Sequence, residues 1–245
     1  MVQNKIALIT GANKGIGAEI AIQLSQIGYD IWLNYLSDDI AAENIRNKII
    51  SNKQQCTLIK CDVANELAVK EKFQELLKKD VPYIIVNNAG FTNNNLFINM
   101  TTKEWKDVIN VTLDGFFNIT KNILPKMIEK NVGGRIINIA SMAAHGGPKG
   151  FAHYSAAKAG LVAVTKVLAN ELAEYKILVN AVSPGFVDTD RLRLAKLPLD
   201  KMAETVPLKR LATPKDIANV VTFLISDKAD YITGQELNVN GGVYI

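Results

Sequence analysis

Tyr154 and Lys158 stand four residues apart in the run HYSAAKAG, residues 153–160. On a helix, positions i and i+4 share a face, so the phenol and the ammonium point the same way. A free tyrosine titrates near 10, too high for proton exchange at neutral pH. A neighbouring ammonium favours the phenolate and draws that value down. A hydroxyl tuned in this way can give a proton to a carbonyl oxygen or take one from an alcohol. Ser141 lies thirteen residues earlier, just past the end of an apolar run, where its hydroxyl could hold the same oxygen. Alone, a Tyr-x-x-x-Lys pair arises by chance on buried helices, so its meaning depends on what else the chain carries.

A second constellation is the turn LITGANKGIG, residues 8–17. Gly11, Gly15 and Gly17 are spaced G-x-x-x-G-x-G between a β-rich run and an amphipathic one. Gly11 permits a tight turn, while Gly15 and Gly17 let backbone approach a pyrophosphate and let the helix pack close to a sheet. The helix that follows offers free N–H groups to phosphates. Gly11, Asn13, Lys14, Gly15, Ile16 and Gly17 are therefore expected to hold a dinucleotide. Folds that take NAD place an acid at the end of the second strand, ~20 residues on, to hold the ribose 2′-hydroxyl. Asn34 and Tyr35 stand there instead, with Tyr35 counted among the cofactor contacts. Asp38 and Asp39 follow in SDDIAAE, which reads as Ser37 capping a helix with acids in its first turn. Lys14 is free to pair with a 2′-phosphate, and NADPH/NADP+ is the expected cofactor.

These residues need a scaffold, and the chain alternates short β-rich runs with longer amphipathic ones. Strands are expected at 5–10, 30–35, 56–61, 83–88, 135–140, 177–182 and 236–240. Helices are expected at 15–28, 38–52, 65–79, 103–131, 153–175 and 214–226. Most strand runs are continuously apolar, as in strands buried on both faces. The alternation implies an α/β fold: one doubly wound, Rossmann-type parallel sheet of about seven strands with helices on both faces. No linker or repeat divides the 245 residues, so 1–245 reads as a single domain. The stretch 186–213 fits the rhythm least and adjoins the strand ends where such sheets bind ligands, so it is expected to be a substrate lid.

Composition narrows the class. No apolar run approaches the ~20 residues of a membrane span, and a cytoplasmic protein is expected. The net charge of +4 permits an anionic cofactor or acidic partner and is too mild to imply nucleic acid. Cys56 and Cys61 lack metal-ligand spacing and read as reduced thiols; no metal is expected.

Read together, TGANKGIG, CDV at 61–63, NNAG at 87–90, IAS at 139–141, YSAAK at 154–158 and NAVSPGFVDTD at 180–190 resemble the short-chain dehydrogenase/reductase family in order and spacing. The resemblance runs from Lys5 to the C-terminus. It implies that Ser141, Tyr154 and Lys158 are catalytic, with Lys158 also holding the nicotinamide ribose. It implies that Asp62 and Val63 line the adenine pocket and that Asn87, Ala89 and Gly90 run beside the adenosine ribose. Pro184, Gly185, Val187 and Thr189 would fix the carboxamide.

One position departs. WKDVINVTL, 105–113, carries Thr112 where the family often has a fourth catalytic residue, an asparagine that helps hold a relay water behind the lysine. Asn110 points elsewhere on a helix and cannot substitute. Thr112 is expected to serve an altered relay, its hydroxyl able to bond the i−4 carbonyl.

Within the family the resemblance is strongest to 3-oxoacyl-[acyl-carrier-protein] reductases, through 209–227 and 231–245. It implies NADPH-dependent reduction of a β-ketoacyl thioester, a carrier-bound or small-molecule substrate, and a homotetramer or mixed oligomer built on helices 103–131 and 153–175 and the last strand. Asn170 replaces an arginine those reductases use toward the carrier, leaving Lys126, Lys130 and Arg135 as candidates for an acidic face. Phe151, three residues before Tyr154, reads either as an aromatic pocket wall or as packing. The alternatives are an oxidoreductase of a free sugar, polyol or small ketone, and a dinucleotide-binding subunit without turnover.

Overall fold

The computed structural model describes residues 5–131, 133–194 and 197–245, with Arg191 by its backbone alone. Seven parallel strands form one sheet in the order β3-β2-β1-β4-β5-β6-β7. They are β1 Ile6–Ile9, β2 Asp30–Tyr35, β3 Cys56–Lys60, β4 Ile84–Asn87, β5 Gly134–Ile139, β6 Ile177–Pro184 and β7 Glu236–Val239. Every residue of β1, β4 and β5 is buried, which explains their mostly apolar sequences, while the buried Asn87, Arg135 and Asn138 are each hydrogen-bonded or paired. The order reverses between β1 and β4, so a crevice opens at their carboxyl ends.

Two apolar layers cover the sheet. On one face α1 Gly15–Gln26, α2 Asp39–Ser51 and α9 Pro214–Leu224 pack Ile20, Leu24, Ile49 and Val221 against Ile9, Ile31 and Leu33. On the other, α3 Glu66–Leu77, α5 Gly115–Lys130 and α6 Ala152–Leu172 pack Phe73, Ile119, Ile123 and Leu172 against Leu8, Trp32, Ile85 and Ile136. Strand alternation sends odd and even neighbours to opposite layers, which is why both Leu8 and Ile9 are fully buried. Among the described residues no helix is long and apolar enough to cross a membrane.

Three local expectations are corrected. The helix expected over 103–131 is broken into α4 Thr102–Ile109, a π-turn at Asn110–Asp114, and α5. The Gly115 N–H reaches back five residues to the Asn110 carbonyl, and a Cβ on Gly115 would lie 2.6 Å from Val63 Cγ2. The wide turn lets α5 seat against Val63. Second, α2 is capped by Asp38, whose carboxylate accepts the Ala41 N–H, rather than by Ser37, whose carbonyl accepts from Asn13 Nδ2 at 3.0 Å. Asp38 holds φ +69°, a left-handed conformation that aspartate tolerates better than most side chains. Third, Arg135 is buried and paired with Asp230, so it belongs to the foot of the sheet and to no exposed basic face. Lys126 is paired with Glu129.

The stretch 186–213 closes on itself at its base. Val187 and Ala212 form a parallel bridge, reinforced by Asp188 N–H to the Ala212 carbonyl at 2.7 Å. Two short helices, α7 Asp190–Leu194 and α8 Leu199–Thr205, lie between; residues 195 and 196 fall outside the described chain. Cys56 and Cys61 are free, and burial pushes the Cys56 thiol up to about 12, so neither resembles a reactive thiolate.

Candidate active site

The glycine turn is locked by neighbours as much as by its own backbone. Gly11 and Gly15 hold φ of +61° and +59°, the left-handed region that glycine enters without strain. Asn34, at the penultimate position of β2, donates to the carbonyls of Ile59 and Cys61 and accepts from Gly11 N–H. Asn88 Nδ2 donates to the carbonyls of Thr10 and Gly11 at 2.9 and 3.1 Å. Thr10 Oγ1 returns the favour by accepting the backbone N–H groups of Asn88 and Ala89, both at 2.9 Å. A Cβ on Gly17 would sit 2.5 Å from Asn88 Nδ2, so Gly17 serves helix–strand packing.

Ser141 follows β5 and caps a short 3₁₀ turn, its Oγ accepting Ala143 N–H at 3.2 Å. Tyr154 and Lys158 lie in the first two turns of α6, with Lys158 Nζ 5.5 Å from the Tyr154 ring centroid. Lys158 is 3% exposed and donates to the Ile139 carbonyl at 2.5 Å. Burial away from water draws its ammonium down to about 7. The helix itself is pinned to the sheet through amides: Asn87 Nδ2 donates to Asn138 Oδ1 at 2.9 Å, and Asn138 Nδ2 to Thr165 Oγ1 at 2.8 Å. Such a buried ladder fixes β4, β5 and α6 in register. The loop after Ser141 is braced by His145, whose Nε2 meets Glu236 at 2.7 Å, with Ser183 donating to the same carboxylate.

One cleft of about 430 Å³ runs from the glycine turn to these residues. It gathers Gly11, Asn13, Lys14, Gly15 and Ile16 at one end and Gly90, Ser141, Tyr154 and Lys158 at the other. Pro184, Gly185, Val187 and Thr189 form a third side. Other residues marked in the sequence lie elsewhere. Tyr35 is buried and donates to Asp39 at 2.9 Å. Asp62 lies in a separate groove beside Leu36 and Lys72. Val63 packs on Gly115, and Asn87 belongs to the buried ladder. Thr112 lies behind Gly90: a Cβ there would be 3.3 Å from Thr112 Oγ1 and 3.6 Å from Lys158 Nζ. The Thr112 hydroxyl makes no bond to the i−4 carbonyl; it is buried without a hydrogen-bond partner in the structure.

The sequence reading missed Asn88, Phe91, Thr92, Ile139, Ala140 and Asp190, all of which line the cleft. The second asparagine of NNAG was the available signal for Asn88. Phe151 is not among the lining residues. It packs edge-on to Tyr154, ring centroids 5.9 Å apart, whereas Phe91 lines the cleft together with Tyr154. Lys14 is engaged with Asp38 at 3.1 Å, an exposed ion pair.

A family model described as enoyl-(acyl carrier protein) reductase matches residues 11–244. A 3-oxoacyl-[acyl-carrier-protein] reductase, FabG, of Staphylococcus epidermidis is 43% identical over 99% of this chain and 100% of its own length. This chain belongs to the short-chain dehydrogenase/reductase family. FabG of Staphylococcus aureus is 41% identical over the full length of both, and FabG of Aquifex aeolicus 40% over 99% of this chain and 98% of its own. The structure of an acetoin dehydrogenase from Enterobacter cloacae matches with a TM-score of 0.91 at 31% identity, covering 99% of this chain and 96% of that one. An acetoin dehydrogenase of Salmonella typhimurium, YohF, matches at 0.88 and 33%, covering 98% and 97%. As a short-chain dehydrogenase/reductase the chain is an oxidoreductase that works with a nicotinamide dinucleotide. Its cleft fits one: α1 starts without a side-chain cap and without an acid in its first turn, leaving backbone N–H groups available for a pyrophosphate.

Proposed function

We propose that this chain reduces a β-ketoacyl thioester, delivered on an acidic carrier protein, to the 3-hydroxyacyl form with NADPH in the cytoplasm. The observation that carries this reading is the run of full-length relatives, 39–43% identical, that are named 3-oxoacyl-[acyl-carrier-protein] reductases. The convergence of Ser141, Tyr154 and Lys158 on one cleft supports it.

In this reading the bound dinucleotide supplies the hydride that goes to the carbonyl carbon. Tyr154 gives its proton to the carbonyl oxygen, and the Ser141 hydroxyl holds that oxygen in place. Lys158 stabilises the phenolate left behind and holds the nicotinamide ribose. The glycine turn from Gly11 to Gly17 takes the pyrophosphate, and Lys14 exchanges Asp38 for the 2′-phosphate. Asp62 and Val63 edge the adenine site, with Asn87, Ala89 and Gly90 beside the adenosine ribose. Pro184 to Thr189 orient the carboxamide, and 186–213 closes over the substrate. The Thr112 hydroxyl, lacking a protein partner, holds a water behind Lys158. The working unit is a homotetramer joined through α4–α6 and β7.

A second reading, a dehydrogenase of a small α-hydroxyketone, is favoured by the likeness to the acetoin dehydrogenase structures. Absorbance at 340 nm separates the two. NADPH consumption with acetoacetyl thioester at least tenfold faster, as kcat/KM, than with acetoin or diacetyl supports the first. The reverse ratio overturns it.

A further inference from the structure

His153, immediately before Tyr154, is fully buried and uses both ring nitrogens. The backbone N–H of Tyr154 donates to its Nδ1 at 2.9 Å, and its Nε2 meets the Asn93 carbonyl at 2.9 Å. A backbone N–H can only donate, so Nδ1 carries no proton. A carbonyl can only accept, so Nε2 carries one. The surroundings therefore fix a single neutral tautomer. The Tyr154 N–H needs this partner. It lies in the first turn of α6, where N–H groups have no helical acceptor, and Phe151 caps the helix with no side-chain bond.

The other end of this bridge is the segment after β4. Phe91 and Thr92, just before Asn93, line the same cleft as Tyr154. Two further ties hold the same segment. Asn95 N–H donates to the Gly150 carbonyl at 3.1 Å, where Gly150 holds φ +89° and leaves room for the Asn95 backbone. Asn95 Nδ2 donates to the Glu104 carboxylate, which is fixed by its capping box with Thr101. The wall is thus bolted to α4 and, through His153, to the backbone of the tyrosine itself.

We infer that His153 is a positioning residue that sets the gap between Tyr154 and the Phe91–Thr92 wall, and so determines how the carbonyl substrate seats. A shift of the wall relative to Tyr154 breaks the Nε2–Asn93 bond and leaves a donor of the fully buried imidazole unpaired, which is costly. The inference rests on Tyr154 acting on a carbonyl as proposed above.

The test is steady-state kinetics of His153→Leu and His153→Gln on whichever carbonyl the wild type reduces, with dinucleotide affinity measured separately by titration. His153→Leu raises KM for the carbonyl at least tenfold, with kcat within threefold and dinucleotide Kd within twofold. His153→Gln, whose amide nitrogen can reach the Asn93 carbonyl, recovers most of that KM. A KM within twofold of wild type in His153→Leu overturns the inference. So does a raised KM accompanied by a matching fall of kcat and dinucleotide affinity, which marks a purely structural residue. A measurement on wild-type protein needs no variant and no substrate. With only two histidines in the chain, long-range proton–nitrogen spectra resolve both. At pH 8 they show for one a slowly exchanging Nε2 proton and a bare Nδ1; a proton on Nδ1 of His153 overturns the bridge. Should the wild type reduce no carbonyl, the proposed function falls while this spectrum still tests the clasp.

Discussion

Lys158 is anchored to Ile139: its Nζ donates to that carbonyl at 2.5 Å, so the cation facing the cleft is held by the last residue of β5. The lysine is buried, and burial draws its folded-state value from 10.5 to about 7. In that window the unfolded chain binds a proton that the folded chain lacks, so this group's contribution to stability rises with pH and is least favourable below about 7. Lys158→Met removes the titration. Thermal melts of the ligand-free protein should show the variant above wild type at about pH 6.5, with the gap closing towards pH 10. A gap that is flat across pH would contradict the burial effect. The same variant loses nearly all turnover.

Tyr154→Phe keeps the ring that packs against Phe151 and removes the hydroxyl. We expect kcat to fall at least a thousandfold, about 4 kcal/mol of barrier, with dinucleotide Kd changed by less than about threefold. Stopped-flow reduction and a fluorescence titration report the two separately.

Thr112 offers a stability–activity contrast. Its hydroxyl is buried and unpartnered, so Thr112→Val should leave the melting temperature unchanged or raise it. If the hydroxyl holds a water behind Lys158, the same change lowers kcat about tenfold. Thr112→Asn should stay within about tenfold of wild type, roughly 1.4 kcal/mol; a gain of a hundredfold would mean that Thr112 impairs the site.

Cofactor choice is tied to Lys14 and Asp38. Their ion pair is exposed and therefore weak, and either partner can be drawn off by a stronger charge. Asp38→Asn should raise the NADPH-over-NADH ratio of kcat/KM several-fold, and Lys14→Ala should lower it about tenfold. A wild type that uses NADH as well as NADPH would overturn the assignment of Lys14.

The strands were legible because each is an apolar run buried on both faces, and β2 was bounded correctly at Asp30–Tyr35. The glycine turn and the Tyr154–Lys158 pair were legible because their spacing is local. What escaped was set by partners distant in the chain. Asn88 reads as a loop residue until Thr10 and Gly11 lie beneath it. Arg135 reads as surface charge until Asp230 closes over it. Phe151 reads as a candidate cleft aromatic until the fold packs it edge-on against Tyr154, while Phe91, unmarked in the sequence, lines the cleft. Asp38 displaced Ser37 as a cap because Asn13 claims the Ser37 carbonyl.

The π-turn at Asn110–Asp114 has a consequence for how this region tolerates change. Its five-residue reach from Gly115 to Asn110 inserts one residue more than an α-turn needs, so α4 and α5 are out of phase by one position, about 100° of rotation. Ile119, Ile123 and Met127 form the buried row of α5 that follows this offset. Deleting any one residue between 110 and 114 would restore a continuous helix and swing this row off the sheet. Substitutions here alter chemistry, whereas a single-codon deletion alters phase and dismantles one side of the core.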